Sequence, residues 1–333
     1  MFAEYIKFYY RALSGDERAV YKTLYAAYAA RENSVLIKVD KTKCDIKRIA
    51  YINECVYNDT PAFYFIDMSH YRWSETDEGY KFNIDFCYTI KEINEYDRKI
   101  EKGLDIFMQN YISDNMTDYE KELVIHNYLV SKITYDTYAA NHDAHPDERI
   151  HDAYNIIGAL IKKKAVCWGI ACAFKLLCDY CKIKCFVVIG GAEQREFDGH
   201  AWNMVRIDNS NYHVDVTWDI RKSDDIRCCY DYLNLSDPII KFNHDWDKTI
   251  YPKCNSSKYN YYCINKLYVK KLEDISSFVS RRVKLGNEYI AFKYVGDMPD
   301  DESIRVQLRK SVNRTYSYLI SRETHNIYVE VKD

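Results

Sequence analysis

Glycine and proline are scarce in this chain, at 10 and 5 of 333 residues. So few backbone breakers imply long elements joined by short turns, and leave no room for a Gly- or Pro-rich linker. Charge of either sign is not in excess. The 47 basic and 50 acidic residues leave a net charge of −3, which argues against nucleic acid as the main partner. No stretch approaches the roughly 20 apolar residues of a membrane helix, so no membrane partner is expected. The first residues, Met1 to Lys7, lack a basic leader followed by an apolar stretch, so no signal peptide is expected either. Disorder is excluded by composition, because 47% of residues are apolar and only 29% charged.

Tyrosine is abundant instead, at 33 residues, and cysteine numbers 12. The tyrosines are spread through every segment and read as packing and surface, not as a stacking platform. The cysteines are irregularly spaced in a large chain, unlike a short Cys-dense secreted scaffold. Reduced thiols in a cytoplasm are therefore expected. Cys178, Cys181 and Cys185 contain one CxxC, but no second pair follows at finger spacing. Their spacing also suits one helix face, so core packing is expected, with no metal and no cofactor.

Periodicity places a helix over 8–30, with Tyr9, Ala12, Tyr21, Leu24 and Tyr28 on one face, and a second over 45–57. Strands are expected at 34–39, 62–67 and 80–90. Helices follow over 91–113 and 116–133, the latter opened by a Thr117–Glu120 capping box and carrying Leu123, His126, Leu129 and Val130 inward, with Ile125 at the edge of that face. His126 reads as a satisfied core histidine. The polar segment 136–149, with His142 and His145, reads as a solvated loop. Two helices separated by the Lys162–Lys164 turn come next. They are followed by the strand "KCFVVIGG" and by two strands around an Asp-Asn-Ser-Asn turn. A mixed polar segment spans 221–258. From 259 onward, four short strands and helices near 272–283 and 300–311 suggest a small α+β domain. No internal repeat is present. The expected organisation is an N-terminal α+β region (1–112), a central domain (113–258) and a C-terminal domain (259–333), α+β overall.

Cys167, in "KKKAVCWGIACAF", is the residue on which function turns. Alone it is ambiguous between a buried thiol and a nucleophile. Its position favours chemistry: Ile170, Ala171, Phe174, Leu177 and Cys178 define a helix whose first turn contains Cys167. The unpaired N–H groups there stabilise a thiolate and can hold an oxyanion. Cys172, deeper in the helix, reads as core. A thiol nucleophile also needs an imidazole and a group to orient it. His200 opens a strand in "GHAWNMVRI", and Asp215 follows on the next strand in "YHVDVTWD". A turn at Asn209-Ser210 puts both on one face but four residues out of register. An earlier turn or a bulge is needed to bring them together. His213, on the same face, is the weaker alternative base. Trp168, Trp202 and Trp218 are candidate substrate-binding walls, with core packing the competing reading.

The order "AVCWGIACAFKLLCDYCKIKCFVVIGG", "GHAWNMVRI", "YHVDVTWD" resembles the transglutaminase-like superfamily in its bacterial, protease-like branch. "DYEKELVIHNYLVSKITYD" ahead of it, and "YDYLNLSD" and "HDW" behind it, extend the likeness over about 117–245. The resemblance implies a papain-like α+β core without metal, with Cys167 as nucleophile, His200 as general base and acid, and Asp215 as orienter. Trp168 departs from the Gln or Glu that many bacterial relatives carry there. The implied function is acyl transfer on an amide of a peptide or protein, with hydrolysis favoured. The alternatives are a protein-glutamine transglutaminase and a non-catalytic binding scaffold.

Overall fold

The structure, a computed structural model, describes residues 7–69, 71–141, 150–192, 199–222 and 229–332. His142 and His145 lie outside them. Helix and sheet are mixed throughout, as the α+β expectation requires.

The expected first helix is two, α1 (Phe8–Ala12) and α2 (Gly15–Ala30). Ser14 divides them because it caps α2. Its hydroxyl takes the Glu17 N–H, and the Glu17 carboxylate takes the Ser14 N–H at 2.7 Å. Strand β1 (Ser34–Lys38) and helix α3 (Ile46–Asp59, capped by Asp45) follow. The expected strand at 62–67 is absent. Pro61 opens a 3-10 turn over Pro61–Phe63, and one isolated bridge, Ile66 to Phe86, follows. Strand β2 (Arg72–Thr76) was not foreseen. It pairs with β3 (Gly79–Asn83), which is shorter than the expected 80–90, in a sheet ordered β1-β3-β2. Helices α4 (Ile90–Tyr111) and α5 (Asp118–Lys132) both open on capping boxes, at Thr89 and Thr117.

Two short strands, β4 (Thr134–Tyr135) and β5 (Lys164–Ala165), pair in parallel. Between them lie α6 (Thr137–Asn141), a 3-10 turn over Ile150–Tyr154 and a π-turn over Ile157–Lys162. Helix α7 (Cys167–Tyr180) packs against the central sheet of β6 (Lys184–Ala192), β7 (Gly199–Ile207) and β8 (Ser210–Val214). The chain continues through α8 (Val216–Lys222), β9 (Leu233–Leu235), α9 (Asp237–Ile240) and β10 (His244–Trp246). All neighbours in the order β10-β6-β7-β8-β9 run antiparallel. One apolar core runs through residues from Tyr9 to Cys254, so α2, α3, α4, α5, α7 and the central sheet share it. Lys175 is buried in this core against Asp179, 2.8 Å away, and the Cys185 carbonyl.

Residues beyond 259 form α10 (Tyr261–Ile264), β11 (Tyr268–Val269), α11 (Asp274–Lys284), β12 (Tyr289–Tyr294), α12 (Asp301–Ser311), β13 (Tyr316–Ser321) and β14 (Asn326–Val331). The sheet order is β11-β12-β14-β13, and residues from Val269 to Val331 make a second core. Buried Asp231 ties the two together. It accepts from Asn326 at 2.7 Å, from Tyr262 at 3.2 Å, from Thr324 and from Tyr328. Among the described residues, no helix is long and apolar enough to cross a membrane.

Candidate active site

Cys167 is the first residue of α7. Three features of its approach set it there. Lys163 adopts a left-handed conformation (φ 61°) and stops the π-turn. Residues 164 and 165 are fixed by pairing with β4. Val166 then takes the extended N-cap position, and no side chain caps the helix. Ser, Thr, Asp or Asn usually occupies that position and consumes a first-turn N–H. With valine there, those N–H groups stay available at the positive end of the helix. Cys167 is half-buried. Cys172 is fully buried, and burial pushes its thiol up to about 12, which suits a packing residue. Cys178, Cys181 and Cys185 are likewise buried free thiols.

The hairpin that carries the histidine turns one residue earlier than expected. Ile207 pairs with Ser210, so Asp208 and Asn209 form the turn, both with positive φ (45° and 64°). Aspartate and asparagine tolerate that conformation best among the non-glycine residues. The shift halves the expected offset between His200 and Asp215 and keeps them on one face. Asp215 is also not on the strand as expected. Strand β8 ends at Val214, and Asp215 is the residue between β8 and α8. Its backbone N–H still bonds the Tyr232 carbonyl at 3.0 Å. Its Oδ1 takes the N–H of Trp218 at 3.1 Å and so caps α8. Its Oδ2 lies 2.7 Å from Nε2 of His200.

The Cys167 thiol lies near enough to the His200 ring to raise its proton affinity. Since Nε2 faces Asp215, Nδ1 is the nitrogen left for sulfur. Burial lowers the proton affinity of His200, but the charge and hydrogen bond of Asp215, together with Cys167, outweigh it and raise the imidazole to about 10. Burial drives the Asp215 carboxyl upward. His200 and then His244 overcome that and hold it well below the ordinary carboxylate range. The result is a buried carboxylate that stays ionised beside an imidazole that keeps its proton.

The three tryptophans differ. Trp202 is fully buried, donates its indole N–H to Nδ1 of His213 at 3.0 Å, and stacks near His200. It backs the site and is not an open cleft wall. Trp218 is half-buried against His244 and Tyr232. Trp168 is half-buried, packs edge-on to Tyr57, and donates to Oδ1 of Asn58 at 3.1 Å. His126 is a buried partner of Asp219 at 2.8 Å. His213 is not brought to Cys167. Its Nε2 bonds Asp237 at 2.9 Å.

Among the described residues, two clusters have donor sets able to take a cation: His200, Asp215 and His244, and His213, Asp237 and Cys254. In the second, the Trp202 N–H occupies Nδ1 of His213, which fixes a proton on Nε2 toward Asp237. A metal there would have to displace that proton from an imidazole whose other nitrogen is already engaged. In the first, both histidines point Nε2 at one oxygen of Asp215. No role for His244 was read from the sequence, although "HDW" was noted. Asn58, over a hundred positions before Trp168, carried no local signal.

Residues 107–216 match the family model of the transglutaminase-like superfamily, about a third of the chain. Among solved structures, one described as a TGase overlaps 55% of this chain and 49% of its own length, with 15% identity and a TM-score of 0.30. A protein from Cytophaga hutchinsonii, described as a candidate cysteine protease, overlaps 44% of this chain and 61% of its own, with 13% identity and a TM-score of 0.27. A candidate protease from Parabacteroides distasonis overlaps 43% and 35%, with 9% identity and a TM-score of 0.26. This chain thus spans less than two thirds of each. No curated protein matches it.

Proposed function

We propose that this chain, whose residues 107–216 belong to the transglutaminase-like superfamily, is a cysteine-nucleophile acyl-transfer enzyme that hydrolyses an amide in a peptide or protein. The observation that carries this reading is the 2.7 Å bond between His200 and the Asp215 carboxylate, with the Cys167 thiol near enough to the same ring to raise its proton affinity. In this reading the sulfur of Cys167, its proton taken by His200, attacks the amide carbonyl carbon. The developing oxyanion is met by first-turn N–H groups of α7, which no side chain caps. The C–N bond then breaks as His200 returns its proton to the leaving nitrogen, and an acyl thioester remains. Water, deprotonated by His200, attacks the thioester, releasing the acid and restoring the thiol. Asp215 orients the ring and stabilises its charged form throughout.

The test is the full chain incubated with a peptide library, with and without a labelled primary amine, products being read by mass spectrometry. Cleavage or deamidation that is lost in C167A and H200A is the expected result. Amine incorporation in place of hydrolysis would reassign the acceptor and make the chain a transglutaminase. Undiminished activity in C167A would remove Cys167 as nucleophile. A wild-type chain inert toward every peptide, with Cys167 unreactive until unfolding, would favour a binding scaffold.

A further inference from the structure

One carboxylate oxygen in this chain takes two imidazoles. Oδ2 of Asp215 lies 2.7 Å from Nε2 of His200 and 2.9 Å from Nε2 of His244. An ionised carboxylate only accepts, so both ring nitrogens must carry protons toward it. We propose that His244 is a positioning residue, which fixes the Asp215 carboxylate in the orientation His200 requires. The inference rests on the thiol–imidazole–carboxylate reading above.

The sheet delivers His244 to that place. Strand β10 pairs with β6, setting His244 beside Ala192, while Gly190 of β6 sits beside His200 of β7. The two histidines therefore approach Asp215 from strands on either side of β6, with ring centroids 5.4 Å apart. A carboxylate held by one imidazole and one backbone N–H can still pivot. A second donor on Oδ2, with the Trp218 N–H on Oδ1, holds the group at three points. Two N–H groups on one oxygen also occupy both of its lone pairs, so water has no vacant position there.

Packing alone does not account for a histidine here. His244 is buried, with its ring 4.8 Å from Trp218, 5.1 Å from Trp202 and 5.6 Å from Tyr232. A phenylalanine would fill such an aromatic enclosure without the cost of burying two polar nitrogens. Both nitrogens are used: Nδ1 lies 2.7 Å from Oδ1 of Asn243, whose own amide nitrogen bonds the Tyr232 hydroxyl at 2.6 Å. The ring is thus oriented from behind and presents Nε2 to Asp215.

The test compares H244F, which keeps ring volume without a donor, with H244Q, which keeps a donor. H244M serves as a second donor-free variant should H244F fail to fold. Two readouts are taken on the full chain. The first is the imidazole N–H resonance of His200 by NMR, which needs no substrate. The second is the rate of Cys167 alkylation by iodoacetamide, followed on the Cys167 peptide. Donor-free variants are expected to shift the His200 resonance and slow alkylation between about 10- and 100-fold, the range a small misplacement costs. H244Q is expected to retain most of both. A folded donor-free variant with an unchanged resonance and rate overturns the proposal. So does H244Q as impaired as H244F, since ring packing would then be the role. Slow alkylation in the wild-type chain would instead overturn the acyl-transfer reading, while the NMR comparison would still report on Asp215.

Discussion

The indole N–H of Trp168 donates to the side-chain carbonyl of Asn58 at 3.1 Å, so the residue after Cys167 is held by helix α3. Asn58 is buried, and Tyr57 beside it packs edge-on against the same indole. Helix α3 thus reaches the first turn of α7. Either N58A or W168F leaves one partner with an unmet hydrogen bond, at a cost of about 1–3 kcal/mol. The double variant removes both groups and is expected to cost less than the sum. Urea unfolding of the four proteins measures the coupling. Additivity within about 0.5 kcal/mol would show that the bond contributes nothing.

Lys175 has no exposed surface and holds Asp179 at 2.8 Å, with Asp59 also within its field. Burial raises both carboxyls to about 6, against the pull of Lys175. Between their ordinary range near 3.8 and about 6, the folded chain binds protons the unfolded chain has released. These two groups therefore make stability fall as pH rises through that window. K175M removes the cation that lowers both carboxyls. It is expected to destabilise by about 3–5 kcal/mol at pH 7, and by clearly less at pH 5, where both carboxyls can protonate. Equal losses at the two pH values would show that the lysine acts by packing alone.

His200 provides a second pH signature. Its folded-state value of about 10 lies above that of an unfolded histidine, near 6.5. Its contribution to stability is complete below about pH 6.5 and is lost as pH rises toward 10. Lys293, which burial lowers to about 8, acts in the opposite sense above that value. D215N isolates the histidine, because Lys293 is common to both proteins. Without the carboxylate, burial, the largest single influence on the ring and one that lowers it, is opposed by Cys167. The melting temperature of D215N should fall several degrees below wild type at pH 7, with the gap closing toward pH 10. A gap that stays constant across the range would mean that Asp215 does not hold the proton on His200.

Much of this was legible where local chemistry is explicit. Helix α5 begins where Thr117 and Glu120 can cap it, and α3 where Asp45 can. The segment 62–67 misled because Phe63, Tyr64, Phe65 and Ile66 are all buried on consecutive positions. A run buried on every side has no period by which to separate a strand from a turn. The turn was expected at Asn209-Ser210, one residue late, whereas Asp208 and Asn209 are the pair that adopts positive φ. That one step is what brings Asp215 within reach of His200. His244 and Asn58 had no such signal, since each is defined by a partner far away in sequence, and only the sheet order and the α3–α7 packing bring them in.

Gly169 marks how tightly the start of α7 is held. A Cβ there would lie 2.3 Å from the Ala153 carbonyl oxygen and 2.9 Å from that of Asn155. Both obstacles are backbone, in a stretch anchored by Val166 N–H to Ala153 O at 3.0 Å and by the Asn155 side chain to the His151 carbonyl and Tyr88. Neither can swing aside as a flexible side chain would. G169A is a small change at a helical position where alanine ordinarily gains about 1 kcal/mol over glycine. Here the clash must push residues 153–155 off the first turn or tilt that turn away from His200. The expected result is a folded but less stable protein whose Cys167 is alkylated more slowly, with the Val166–Ala153 bond lost as faster amide exchange at Val166. An equally stable G169A with unchanged exchange would mean that this segment yields freely and does not hold the nucleophile's turn in place.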